Sequence, residues 1–185
     1  MVDQLLQGGD RSLKQLKAVA AIAPEEIPNI GRTYLQGVIE DARLSGWRDA
    51  SFTKWKTLGK ETKAMLFPKE QIKEIDQFFD LAKRIGANAN PSGTTPTLIG
   101  IGASGLFIGP ALMRGDWEGV KEGVQNTAGL MLSRSILSRL LYSPHGARLL
   151  RTGLTVKAAE PAAKNVARLL TLELQRASKE PTENQ

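Results

Sequence analysis

Apolar positions recur every three or four residues through most of this chain, the spacing that draws one apolar stripe along an α-helix. Over residues 10–23 the stripe is Leu13, Leu16, Val19 and Ile22. From Pro24 onward Ile27, Ile30, Tyr34, Val38, Ile39 and Ala42 hold a helical period until Ser45-Gly46 stops it. Pro28 is tolerated near the start because the first turn needs no internal donors. Asp49 reads as the N-cap of a short helix carrying Phe52, Trp55 and Leu58, broken at Gly59. Residues 61–67 supply another turn or two. The clearest stripe lies over 68–85, with Ile72, Ile75, Phe78, Phe79, Ala82 and Ile85 inside and Glu70, Lys73, Glu74, Gln77, Asp80 and Arg84 outside. Gly86 is expected to end that helix as its C′ residue.

Asn88-Ala89-Asn90-Pro91-Ser92-Gly93 is a cluster of turn formers and marks the main boundary. The expected organisation is an N-terminal helical region over 1–87, a linker over 88–95, a C-terminal helical region over 96–178 and a frayed polar tail over 179–185. Beyond the linker no charge occurs between Arg84 and Arg114, and 96–113 is apolar and rich in glycine. Helix is expected again over 116–142, with Leu130, Leu132, Ile136, Leu137, Leu140 and Leu141 on one arc and Arg134, Ser135, Ser138 and Arg139 on the other. Ser143 reads as an N-cap with Pro144 at N1, opening a helix that carries Ala147, Leu149, Leu150 and Leu154. Pro161 begins the last helix, with Ala162, Val166, Leu169, Leu170 and Leu174 inward. No strand pair, hairpin signal or solenoid repeat stands out. The predicted fold is all-α, a compact multi-helix bundle with a glycine-rich apolar segment in its middle.

Composition narrows the chemistry. With 41% hydrophobic and 24% charged residues the chain has the balance of an ordinary globular protein. Aromatics are only 5%, so the core is expected to consist mainly of Leu, Ile, Val and Ala. The absence of cysteine removes disulfides, thiolate metal sites and cysteine nucleophiles, and fits a reducing compartment or a particle assembled in one. No basic stretch precedes an apolar run at the N-terminus, so no signal peptide is expected. The net charge of +6 admits an anionic partner. Between Glu122 and Glu160 there is no acid, while Arg134, Arg139, Arg148, Arg151 and Lys157 fall inside. Those five are the candidate contacts for phosphates of nucleic acid or lipid. A solvated basic face is the simpler reading, because no aromatic stacking set accompanies them.

Motifs with catalytic meaning are weak. Gly100-Ile101-Gly102-Ala103-Ser104-Gly105 spells the dinucleotide fingerprint, which needs a strand before it and a helix N-terminus after it. Pro110 interrupts that helix and no second strand is expected to follow, so a cofactor site is rejected. Gly102-Ala103-Ser104-Gly105 misses the spacing of a nucleophile elbow by one residue. Glu25-Glu26 and Glu40-Asp41 are adjacent pairs, which diverge on a helix. His145, the one histidine, falls in a first turn with no local partner. The expectation is therefore no enzyme, no cofactor, no metal and no small-molecule substrate, with protein partners or self-assembly instead.

The segment 96–113 is the unusual feature. As a helix it would be about 27 Å long, at the lower edge of what spans a bilayer. Gly105 and Gly109 are spaced G-x-x-x-G with Gly102 near the same face, so these three are candidates for close backbone packing. Two readings stay open: a buried helix or broken hairpin in a soluble core, and a membrane-active element.

From Glu61 onward, about the last two-thirds of the chain, the order of signals resembles a known group. Glu61-Thr62-Lys63-Ala64-Met65-Leu66-Phe67, the amphipathic stripe, Asn90-Pro91-Ser92-Gly93-Thr94, the glycine-rich stretch and Leu141-Tyr142-Ser143-Pro144-His145-Gly146-Ala147-Arg148-Leu149-Leu150 are similar to the C-terminal region of large virion-associated proteins of tailed phages and prophages, internal or DNA-ejection proteins. The resemblance implies a helical element carried in a virion or present in the host cytoplasm, delivered into or across the host envelope and membrane-associated afterwards. The alternative from the residues alone is a soluble helical adaptor that binds a protein partner or nucleic acid.

Overall fold

In the computed structural model the described residues are 6, 9–45, 47, 52–87, 99–102, 105–108, 130–131, 134–156 and 161–179. The first two stripes become α1 (Gly9–Ile22) and α2 (Glu26–Leu44). Glu26 in the first turn of α2 and Arg43 in its last oppose the partial charges of the helix ends. The Ser45 backbone N–H closes α2 on the Asp41 carbonyl at 3.1 Å. Next come α3 (Thr53–Thr57), α4 (Lys60–Leu66) and α5 (Lys69–Ala87). Two local expectations are corrected here. The N-cap position of α3 is Phe52 with no side-chain cap, and Asp49 lies outside the described residues. Helix α5 runs through Gly86 to Ala87, so Gly86 is not its terminator.

The glycine-rich segment is extended where it is described. β1 (Ile99–Gly102) pairs antiparallel with β2 (Gly105–Ile108), Gly102 opposite Gly105 and Ile99 opposite Ile108. A two-residue β3 (Leu130–Met131) adds to β2, giving the order β1-β2-β3. The expectation of no hairpin is thus overturned: 99–102 and 105–108 pair as strands and are not parts of a helix. The cause lies in competing propensities: each interior glycine weakens a helix by roughly 1 kcal/mol relative to Ala, while Ile and Phe suit a pleated strand. Among the described residues the sheet is a small insertion in an otherwise all-α bundle. Among the described residues no helix is long and apolar enough to cross a membrane.

Helix α6 (Arg134–Leu141) is all that is described of the helix expected over 116–142. Leu130 belongs to β3 instead of the helical arc, and Leu132 lies outside the described residues. Ser138, expected on the polar arc, is fully buried; its hydroxyl donates to the Ser135 carbonyl at 2.9 Å, which meets its polar requirement inside the helix. In α7 (Pro144–Thr155) the Ser143 side chain accepts the Gly146 N–H at 3.3 Å and Pro144 occupies the first turn, as the local sequence predicts. In α8 (Ala163–Lys179) the inward line is Ala163, Leu170 and Leu174 with Val166 half-buried against the core, while Leu169, and Ala162 just before the helix, are exposed. The expected stripe is therefore too wide on its flanks.

Helices of the first 87 residues and those from Arg134 onward share one core: α2 packs on α6, α5 on α7, and α6 and α7 on α8, while α1 rests on α2 and α4. Aromatic rings are few but concentrated. Trp47, Phe52, Phe79, Trp55, Phe67 and Tyr142 form a chain of ring contacts with centroids 4.9–6.2 Å apart, and Phe78 joins it through Trp47 and Phe79. Phe78 and Phe79 on the α5 stripe are both buried, as expected. The Leu, Ile, Val and Ala core predicted from composition surrounds this aromatic centre. The α6–α7 corner requires a glycine, because a Cβ on Gly146 would run into the Leu140 carbonyl.

Candidate functional site

Of the five candidate cations, Arg148 and Arg151 are brought together. Both lie on α7, three residues apart and so on one face, and both turn onto Glu74 of α5. Arg148 Nε lies 3.3 Å from Glu74 Oε1, and Arg151 Nη2 lies 3.3 Å from Oε2. Arg151 Nη1 also donates to Gln77 Oε1. The Glu74 side chain is only 9% exposed, and its Oε2 has no hydrogen bond, so the adjacent Arg151 charge is what compensates its burial. One turn toward the start of α5, Gln71 Nε2 donates to the Leu141 carbonyl at 3.1 Å. Gln71, Glu74 and Gln77 thus form a polar line on α5 beside its apolar stripe, facing the α6–α7 corner. Sequence reading put Glu74 and Gln77 on the solvent side. The spacing of three shared by this line and by Arg148 and Arg151 is the signal that could have matched them.

The other candidates go elsewhere. Arg134 opens α6, exposed, and its charge is felt at Glu40 of α2. The Glu40 carboxyl is held below its ordinary range mainly by its hydrogen bond from Arg43 (2.6 Å), partial desolvation opposing and Arg134 adding a smaller pull. Arg139 is half-buried on α6 and has an interaction of its own. Lys157 lies outside the described residues. Two of the five cations therefore first neutralise a buried carboxylate of the same chain.

A second polar cluster, absent from the sequence reading, joins α3, α4 and α5. Trp55 Nε1 donates to Asp76 Oδ1 at 2.6 Å. Lys63 Nζ sits 4.4 Å from the centre of the Trp55 ring and 4.0 Å from the same Asp76 oxygen. Burial lowers the Lys63 pKa, with the Asp76 charge opposing. The ring face and the carboxylate together hold an ammonium that has lost much of its water. Its members come from three helices, so no spacing in the sequence announces it.

The glycines do not form a helical face. Gly102 and Gly105 oppose each other across the hairpin, and Gly109 lies outside the described residues. The G-x-G-x-x-G pattern runs from β1 into β2, an antiparallel strand, so its last glycine opens a strand and not the helix that would receive a pyrophosphate. His145 is exposed, its Nε2 4.0 Å from Glu173 Oε1, which Arg176 engages at 2.9 Å. Among the described residues no group of three or more His, Cys, Asp or Glu side chains is arranged to hold a metal ion. The chain matches no protein-family model, no curated protein sequence and no solved structure.

Proposed function

We propose that the chain is a non-enzymatic, virion-associated helical protein of a tailed phage or prophage, acting through protein contacts during genome ejection or at the host envelope. The observation that carries this reading is the packing of the segments that bear the resemblance. Residues 61–67 and 141–150 are far apart in sequence, yet the Tyr142 ring meets the Phe67 ring at a tilt, centroids 5.8 Å apart, and its hydroxyl donates to the Leu66 carbonyl at 3.2 Å. The amphipathic α5 between them meets the same unit through Gln71 and Glu74. The charged side chains at that junction join helices to each other, which suits an element that is carried and assembled.

The test is particle fractionation. An antibody to the chain is used on density-purified, nuclease-treated particles from an induced culture of the organism that encodes it. The chain should co-migrate with intact particles and leave them when the genome is released. Recovery only among free proteins would favour the adaptor reading instead.

A further inference from the structure

We propose that the outward face of α8 is a docking surface for an anionic lipid bilayer. Helix α8 turns Ala163, Leu170 and Leu174 into the core. At 100° per residue the opposite side carries Arg168, Leu172 and Arg176, with Leu169 toward one edge and Lys164 on the other flank, and all five are exposed. Leu172 is 47% exposed and Leu169 is 43% exposed, so two large apolar side chains stand among three cations. Glu173 is the single acid of α8. Its side chain is 14% exposed and is engaged by Arg176 and His145, off the outward face. Lys164 and Arg168 have no ion-pair partner among the described residues.

This mixture favours one occupant. An anionic bilayer accepts guanidinium and ammonium groups at its phosphates while leucines enter the headgroup–acyl boundary. Solvent accounts for the cations but gains nothing from the leucines. Nucleic acid also accounts for the cations, yet it offers the leucines no apolar layer, and α8 has no aromatic ring for base stacking. The five cations singled out in the sequence lie outside α8, so the surface is a new one. It goes beyond the virion reading and stands without it.

Because the chain has no cysteine, Leu172→Cys labelled with an environment-sensitive fluorophore reports this position alone. The full chain is mixed with phosphatidylcholine vesicles, with or without one-quarter phosphatidylglycerol, and with a DNA duplex at equal ionic strength. Flotation with the anionic vesicles, a blue-shifted label and loss of both in high salt are the expected results. Each cation contributes roughly fivefold, so Lys164→Gln with Arg168→Gln should weaken binding about 25-fold. The charge-matched pair Lys60→Gln with Lys69→Gln on other helices should change it far less. Leu169→Ser with Leu172→Ser should lose flotation while circular dichroism shows an unchanged fold. Absence of flotation at low salt, flotation with an unshifted label, or preference for the duplex would each overturn the proposal. Failure of the chain to co-migrate with particles would leave these readouts unchanged.

Discussion

Phe78 is fully buried against Trp47 and Phe79, so Phe78→Ala removes a ring that backs one end of the aromatic chain. The expected cost is about 3–5 kcal/mol in urea unfolding, and a loss below about 1 kcal/mol would place the core elsewhere. Tyr142 adds a pH signature. Burial raises its pKa above the ordinary 10.0, with Arg32 pulling the other way. Below pH 10 the phenol is protonated in both states and its contribution is complete. Above that pH the unfolded chain ionises first, so stability falls as pH rises toward the folded value. Tyr142→Phe should lose about 1 kcal/mol at neutral pH with the bond to Leu66, and should then decline less steeply than the parent in alkali. Parallel alkaline slopes would show that the phenol is not buried.

At the scale of elements, the α6–α7 corner is the best defined junction. Its cap is local chemistry: Ser143 accepts the Gly146 N–H, and Pro144 presets the first turn. Ser143→Ala should cost about 1 kcal/mol and Ser143→Gly only a few tenths. Gly146→Ala should cost more, about 1–3 kcal/mol, because its methyl must push α7 away from the Leu140 carbonyl. Thermal melts of the three variants give the order directly; equal melting points for Ser143→Gly and Gly146→Ala would remove the close approach. The same corner shows why legibility varies. Ser143-Pro144 could be read because a cap depends on neighbours in sequence. That Leu130 and Met131 fall outside the helix expected over 116–142 could not, because they pair with β2, more than twenty residues upstream.

For the whole molecule, the Glu74 clasp ties the N-terminal helical region to the C-terminal one, with α5 on one side and α7 on the other. A double-mutant cycle of Glu74→Gln and Arg151→Gln should show a coupling of about 0.5–3 kcal/mol, the range for residues in one charge network. Additivity would mean that Arg151 merely covers the carboxylate. Arg148→Glu with Arg151→Glu should lower the melting temperature sharply, since it sets three carboxylates together around a buried site. Loss of phosphate binding in that variant would then report unfolding, so Gln replacements are the informative ones for these two arginines.

The helical class was determined by the sequence, because periodic stripes and caps act over three or four residues and a helix satisfies its backbone within itself. The stripe of α5, the end of α2 at Ser45 and the cap at Ser143 all follow from such local rules. Tertiary structure decided what depends on a distant partner. The strands of 99–108 needed each other and β3, and the aromatic centre needed rings drawn from Trp47 to Tyr142. Whether a charge is solvated or buried was also settled there. Glu74 and Arg151 each look like solvent-side residues on their own helices, and only the packing of α5 on α7 makes one the counter-ion of the other.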